Sequence, residues 1–197
     1  GKYLDEDTLS KAGSLFGEYL NDPAKIPADL RGVIFNLTAQ RGDRLTYDTL
    51  WDLYKTGTLE EEKVRLLVAL GHFDQPDLLR ETLERSLSDE VRIHDTILVV
   101  RGVGGNHNGR DLAWEFVKDN WDEFVNRYSD GLFALTNLVP IVSHFNTDKK
   151  LADVEEFFEA HPTPAADRAI KQAIEVIRLN VAWLSQNRDA VSNTHLR

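Results

Sequence analysis

The sequence predicts an all-α protein, a superhelix of antiparallel helix pairs of the HEAT or armadillo kind with about ten helices. Three observations predict it. Apolar residues return at helical spacing along most of the chain, and helix start and stop signals recur between the apolar stretches. Strand-like patterning is confined to one short run, Ile97-Leu98-Val99-Val100.

The helices are expected at 6–20, 27–41, 45–56, 59–71, 75–87, 92–104, 109–128, 131–144, 147–160 and 164–188. Glycines 42, 57 and 71 each follow a helical run, where a left-handed residue ends a helix at little cost. Thr58-Leu59-Glu60-Glu61 reads as a capping box for the fourth helix. Asn108 reads as the cap of the seventh, with Asp111 favoured by the N-terminal dipole and Leu112, Phe116, Val117, Trp121, Phe124 and Val125 forming its apolar face. Thr163-Pro164 places a capping residue before a proline at the first position of the last helix. That helix carries the clearest stripe: Ile170, Ile174, Ile177, Val181 and Leu184, in steps of four and three. Connections are short and pairs recur at roughly 30–40 residues, as in HEAT or armadillo units. No residue-level repeat accompanies the spacing, so an ordinary bundle stays open. No composition shift marks a linker, and residues 1–197 are expected to form a single domain.

Composition excludes several functions. The net charge of -10 argues against a nucleic-acid surface, which needs a basic face. No apolar run approaches the roughly 20 residues that span a bilayer, so no membrane partner is expected. The sequence has no cysteine, which removes disulfides and thiolate chemistry and fits a reducing compartment. It has no methionine either, even at position 1, which predicts a piece of a longer protein. The sequon Asn36-Leu37-Thr38 sits among apolar residues of a helix and is read as chance.

The stretch GVGGNHNGRD, residues 102–111, is a near miss to a phosphate loop. Gly104 and Gly109 have the right spacing, but Arg110 and Asp111 stand where Lys and Ser/Thr are needed. The flanking pattern is helical on both sides, and a phosphate loop needs a strand before it. The expectation is an interhelical loop that glycines let turn tightly and stay mobile. No two of the six histidines share the spacing of H-E-x-x-H, and no G-x-S-x-G elbow occurs. No catalytic residue and no metal ligand are therefore assigned.

One block carries a family signature. It runs Ser88-Asp89-Glu90-Val91-Arg92, Asp95-Thr96, Gly109-Arg110, Ala113-Trp114-Glu115-Phe116-Val117-Lys118-Asp119-Asn120-Trp121 and Asn126-Arg127-Tyr128. Ala28-Asp29-Leu30-Arg31, Phe157-Phe158-Glu159, His161-Pro162 and Asn180-Val181-Ala182-Trp183-Leu184 agree in the same order. From Tyr3 to Trp183 the chain resembles the C-terminal helical domain of the zinc aminopeptidases, nearest to the puromycin-sensitive members, with W-x-F-x-x-x-N-W as its most specific element.

The resemblance implies a helical superhelix that caps a catalytic domain of the same parent chain and encloses a cavity for peptide substrates. Catalysis in that family comes from H-E-x-x-H and G-x-M-E-N, and neither occurs here. The resemblance thus implies no hydrolysis by this chain alone, no cofactor of its own, zinc in the parent's catalytic domain, and a cytoplasmic setting. The family alignment brings Gly131-Leu132-Phe133 near the first substrate side chain and makes Phe133 an apolar peptide-binding candidate. Arg101, about a turn before the glycine loop, is the second candidate. Separated from its neighbours, the domain is expected to expose apolar patches and to self-associate. A free-standing helical-repeat scaffold for protein partners is the alternative that composition and periodicity leave open.

Overall fold

The computed structural model describes residues 5–128 and 133–192, with the backbone alone at 133 and 189–192. Among the described residues all regular structure is helical. The α-helices are α1 (Glu6–Asn21), α2 (Ala28–Arg41), α3 (Arg44–Thr56), α4 (Glu60–Leu70), α5 (Pro76–Ser86), α6 (Ile93–Gly105), α7 (Arg110–Asp119), α8 (Trp121–Arg127), α9 (Phe133–Leu138), α10 (Asp148–Ala160) and α11 (Asp167–Ser192). Tighter 3-10 turns occupy Pro23–Lys25, Val139–His144 and Pro164–Ala166.

The expected spans differ from these in three places; in the last, the helix expected over 164–188 opens as the 3-10 turn Pro164–Ala166 and continues as α11 to Ser192. The helix expected over 109–128 is two helices, α7 and α8, parted at Asn120 with φ −117° and ψ 19°. Asn120 Nδ2 donates to the Phe116 carbonyl at 2.8 Å and satisfies an end group of α7. The span expected over 131–144 begins as α9 and continues as a 3-10 turn from Val139. Pro140 lacks the N–H that an α-helical ladder needs.

Several helix ends use other devices than their sequence signals suggest. Leu59, not Thr58, is the residue before α4, with no side-chain cap; three glutamates, Glu60 to Glu62, face the N-terminal dipole instead. Thr163 bonds the His161 carbonyl at 3.0 Å rather than capping the turn that follows. Side-chain caps form at Asp22, whose Oδ1 accepts from Ala24 N at 3.1 Å, at Asp43, whose Oδ1 accepts from Thr46 N at 2.9 Å, and at Thr147 at the start of α10. Glycines 42, 57 and 71 have φ of −69°, −63° and −76°, so none is left-handed. Space explains all three, since a Cβ at Gly57 would stand 2.8 Å from the Leu53 carbonyl oxygen. A Cβ at Gly42 would stand 2.7 Å from a Phe73 ring carbon, and one at Gly71 would stand 2.8 Å from the Gly102 carbonyl carbon.

Packing gathers the chain into two units, Gly1–Ala113 and Trp114–Arg197. In the first, α1 packs on α2, α3 on α4 and α5 on α6, while α2, α4 and α6 lie side by side. Its core is aromatic at both ends. Phe16, Tyr19 and Phe35 meet at one end, and Tyr47, Trp51 and Phe73 at the other, with Tyr19–Phe35 and Tyr47–Phe73 edge to face at 5.0 and 5.3 Å. In the second unit α11 packs on the Val139–His144 turn and on α10.

A side-chain amide ties loops together at a recurring interval. Gln75 Nε2 donates to the Gly42 carbonyl, 33 residues upstream. Asn106 Nδ2 donates to the Gly71 and Phe73 carbonyls, 35 and 33 residues upstream. Within the second unit, Asn180 Nδ2 donates to the Ser143 and Phe145 carbonyls, 37 and 35 upstream. Each bond satisfies carbonyls that a helix end or loop leaves free.

Candidate functional site

The first unit contains a cleft of about 720 Å³ between the C-terminal part of α2, the α4–α5 loop and the α6–α7 loop. Val33 and Leu37 supply an apolar wall from α2, and Asn36 and Gln40 stand beside them one helical turn apart. His72 and Asp74 enter from the α4–α5 loop, and His107 and Asn108 from the α6–α7 loop. Asn36 Oδ1 is buried and has no hydrogen-bond partner among the described residues. Surrounding protein desolvates His72 and holds its imidazole below the ordinary value of 6.5. Amides, imidazoles, one carboxylate and one guanidinium, with an apolar wall, form a surface that binds by hydrogen bonding and van der Waals contact.

The 102–111 stretch builds one side of this cleft, through the side chain of Asn106. Its Oδ1 accepts from Asn108 N at 3.0 Å, and its backbone carbonyl accepts from Gly109 N at 3.1 Å. Its Nδ2 holds Gly71 at 2.9 Å and Phe73 at 2.7 Å. Asn108 Nδ2 adds a bond to the Asp74 carbonyl at 3.0 Å. The phosphate reading fails on these bonds. The N–H groups of Asn106, Asn108 and Gly109 are already used, and helix α6 rather than a strand precedes the loop. The expectation of a loose turn is corrected too, because the loop is bonded to the α4–α5 loop at three carbonyls. Asn108 does not cap α7. The Gly109 carbonyl accepts from Ala113 N at 2.8 Å, and Gly109 sits against Val103, where a Cβ would lie 2.5 Å from its carbonyl oxygen.

Arg101 projects from α6 as an exposed residue with no hydrogen bond or ion pair among the described residues. Gly105, four residues on and therefore on the same helical face, lines the cleft. Phe133 opens α9, and its side chain lies outside the described residues, as do Gly131 and Leu132 altogether. Sequence reasoning missed Asn36, Gln40, His72, Asp74 and Asn106. The legible signal was a carboxamide some 33–35 residues after a loop glycine, as in Gly42 to Gln75 and Gly71 to Asn106. No three of His, Asp and Glu are grouped to hold a metal ion among the described residues, so a zinc site does not fit them. No helix there is long and apolar enough to cross a membrane.

The signature block has a structural meaning in the second unit. Trp114 is buried and its indole Nε1 donates to Asp153 Oδ2 at 2.6 Å; Lys118 Nζ reaches Asp153 Oδ1 at 2.9 Å. Trp114 and Trp121 both meet Phe157 edge to face, at 5.1 and 5.5 Å, and His161 stacks on the same ring at 4.3 Å. Phe116 packs on Phe124. W-x-F-x-x-x-N-W is thus a packing code for α7, α8 and α10. In the first unit, Arg92 bridges Glu60 and the buried Asp95, and Thr96 Oγ1 bonds the Ser86 carbonyl at 2.8 Å.

Partial burial pushes the Asp153 carboxyl up, but the bonds from Lys118 and Trp114 outweigh it and hold it below its ordinary 3.8. A carboxyl depressed in the folded state stabilises that state fully above its unfolded value, and the contribution disappears as pH falls through the folded value. Acid unfolding of the wild type should therefore steepen below pH 3.8, and Asp153→Asn should flatten that limb while lowering stability at neutral pH. Denaturant midpoints measured from neutral pH down to about pH 2 check this. Parallel acid limbs for the two proteins would remove Asp153 from the account.

Comparison with known proteins places these features in a family. Residues 1–179 match the ERAP1-like C-terminal domain. Aminopeptidase M1-A of Oryza sativa subsp. japonica is 35% identical over 189 residues, covering 93% of this chain and 21% of that protein. Glutamyl aminopeptidase of Bos taurus is 30% identical over 198 residues, covering 99% of this chain and 21% of that protein. Aminopeptidase 2, mitochondrial, of Saccharomyces cerevisiae is 29% identical over 190 residues, covering 95% and 20%. The chain spans about one fifth of the length of these relatives. With a family match that takes in nearly every described helix, the chain belongs to the ERAP1-like C-terminal domain family.

Proposed function

We propose that this chain is the non-catalytic C-terminal domain of a cytoplasmic zinc aminopeptidase that removes N-terminal residues from peptides. The family match over residues 1–179 carries the reading. The sequence itself supports the division of labour, since it has neither H-E-x-x-H nor, lacking methionine, G-x-M-E-N. The domain's part is to wall the peptide cavity of the parent, whose zinc is held elsewhere. The side-by-side layer of α2, α4 and α6 in the first unit supports the reading, since it offers an extended surface of the kind such a wall needs. By the family resemblance Arg101, exposed on α6, is the candidate to offer charge to a peptide's carbonyls or carboxylate, and Phe133 the candidate apolar wall for a first side chain. Exposed Leu30 and Val33 on α2, and Leu179 and Trp183 on α11, supply apolar surface for the catalytic domain or for self-association of the separated chain.

The chain of residues 1–197, purified alone, should contain no zinc by elemental analysis and should leave aminoacyl fluorogenic substrates uncleaved. The reading frame that encodes it should carry H-E-x-x-H upstream of Gly1. Stoichiometric zinc with turnover, or a frame without that motif, would overturn the proposal.

A further inference from the structure

We propose that Asn108 is a site of spontaneous covalent modification, by deamidation through a succinimide, held in check in the folded protein by the hydrogen bonds of Asn106. Asn108 is the one asparagine in the sequence followed by glycine. Glycine matters because the reacting nucleophile is the next residue's backbone nitrogen, and only Gly109 leaves that nitrogen unshielded by a side chain. Asn108 is also exposed, in the loop between α6 and α7. In the reaction the Gly109 nitrogen loses its proton to solvent base and bonds to Asn108 Cγ. Nδ2 takes a proton from solvent, the Cγ–Nδ2 bond breaks and ammonia leaves. Water then opens the five-membered imide at either carbonyl, giving aspartate or isoaspartate at position 108.

Two bonds oppose the first step. The Gly109 N–H is engaged by the Asn106 carbonyl at 3.1 Å, and the Asn108 amide that must depart is held by the Asp74 carbonyl at 3.0 Å. The Asn108 N–H, bonded to Asn106 Oδ1 at 3.0 Å, further fixes the turn. Reaction therefore requires local opening of the loop, and its rate in the folded chain follows that opening equilibrium.

The products release the loop. Aspartate replaces the donor to the Asp74 carbonyl with an acceptor, so the bond becomes a repulsion. Isoaspartate adds a methylene to the main chain just before Gly109, which has no spare room against Val103 and whose carbonyl receives the Ala113 N–H at the start of α7. Either change places a new negative charge at the cleft and loosens the wall formed by Asn106, His107 and Asn108. The modification is a slow, irreversible alteration of the cleft, independent of what the cleft binds.

The full chain, incubated at pH 8 and 37 °C and mapped by peptide mass spectrometry with isoaspartate detection, tests this. Position 108 should gain mass before any other asparagine, and more slowly than in the same chain unfolded in urea. Asn106→Ala removes the side-chain bonds to the Gly71 and Phe73 carbonyls and from the Asn108 N–H, while keeping the backbone bond to the Gly109 N–H, and should accelerate the folded-state reaction by at least about tenfold. Circular dichroism checks that this variant is folded; if it is not, the ratio of rates for the wild type with and without urea reads the protection directly. Earlier reaction at another asparagine, no reaction at 108 while the denatured chain converts, or equal rates with and without urea would each overturn the proposal.

Discussion

Trp114→Ala should lower the unfolding free energy by about 3–5 kcal/mol, the range for deleting a buried aromatic side chain. Trp114 is 1% exposed and packs edge to face on Phe157. The loss combines three effects. The ring's transfer from water is forfeited, a cavity opens beside Phe157 and Phe158, and Asp153 loses an indole donor at 2.6 Å. Trp114→Phe separates them, because it keeps much of the ring and removes the donor. Its cost should fall to about 1–3 kcal/mol, the penalty of an acceptor left without its partner. Trp183 is the control within the same unit. It is 57% exposed, and Trp183→Ala should stay within about 0.5 kcal/mol of the wild type. Urea unfolding followed by far-ultraviolet circular dichroism ranks the three variants. Equal losses at Trp114 and Trp183 would mean that the signature tryptophan is not a core residue.

Gly71→Ala should destabilise by about 1–3 kcal/mol, although at the right-handed φ of −76° found there alanine has the better backbone propensity. The added Cβ would stand 2.8 Å from the Gly102 carbonyl carbon and 3.0 Å from the Val103 nitrogen. Both are backbone atoms and cannot swing aside as a side-chain tip can. Relief requires α4 and α6 to separate. That separation also strains the bond from Asn106 to the Gly71 carbonyl, so the cost reaches the cleft. Gly13→Ala provides the opposite sign. Nothing lies within 4 Å of a Cβ there, in the middle of α1, and the change should stabilise by about 0.5–1 kcal/mol through helix propensity. Thermal melts of the two variants should therefore move in opposite directions. An unchanged or raised melting temperature for Gly71→Ala would show that the α4–α6 approach tolerates a methyl group.

The two variants at glycine also show where sequence signals end. Gly71 follows a helix, as a left-handed stop would, yet its φ is −76°. Its identity is required by a helix more than thirty residues downstream, which no local pattern displays. The same holds for Asn108. It has the chemistry of a cap, but α7 begins at Arg110 with Gly109 before it, and the Asn108 Nδ2 donates to the Asp74 carbonyl across the loops. A carboxamide's local options are readable from its neighbours, whereas the winner among them depends on which carbonyl the fold brings within reach.

The sequence by itself determined the helical class, the order and nearly all the bounds of the helices, and the family signature around Trp114. Each of these rests on spacing within a turn or two, where side chains of one face must find an apolar partner whatever that partner is. It also determined that a phosphate loop was absent, since the required Lys and preceding strand are local features. Tertiary structure alone decided that Asn106 is the hub of the cleft, that Gln40 and His72 face it, and that Trp114, Lys118 and Asp153 form one bonded group. The bonds that hold Asn106 and Asp153 in place join residues 33 to 39 apart. Their energies become available only after helix packing has closed the intervening chain, so no short stretch of sequence records them.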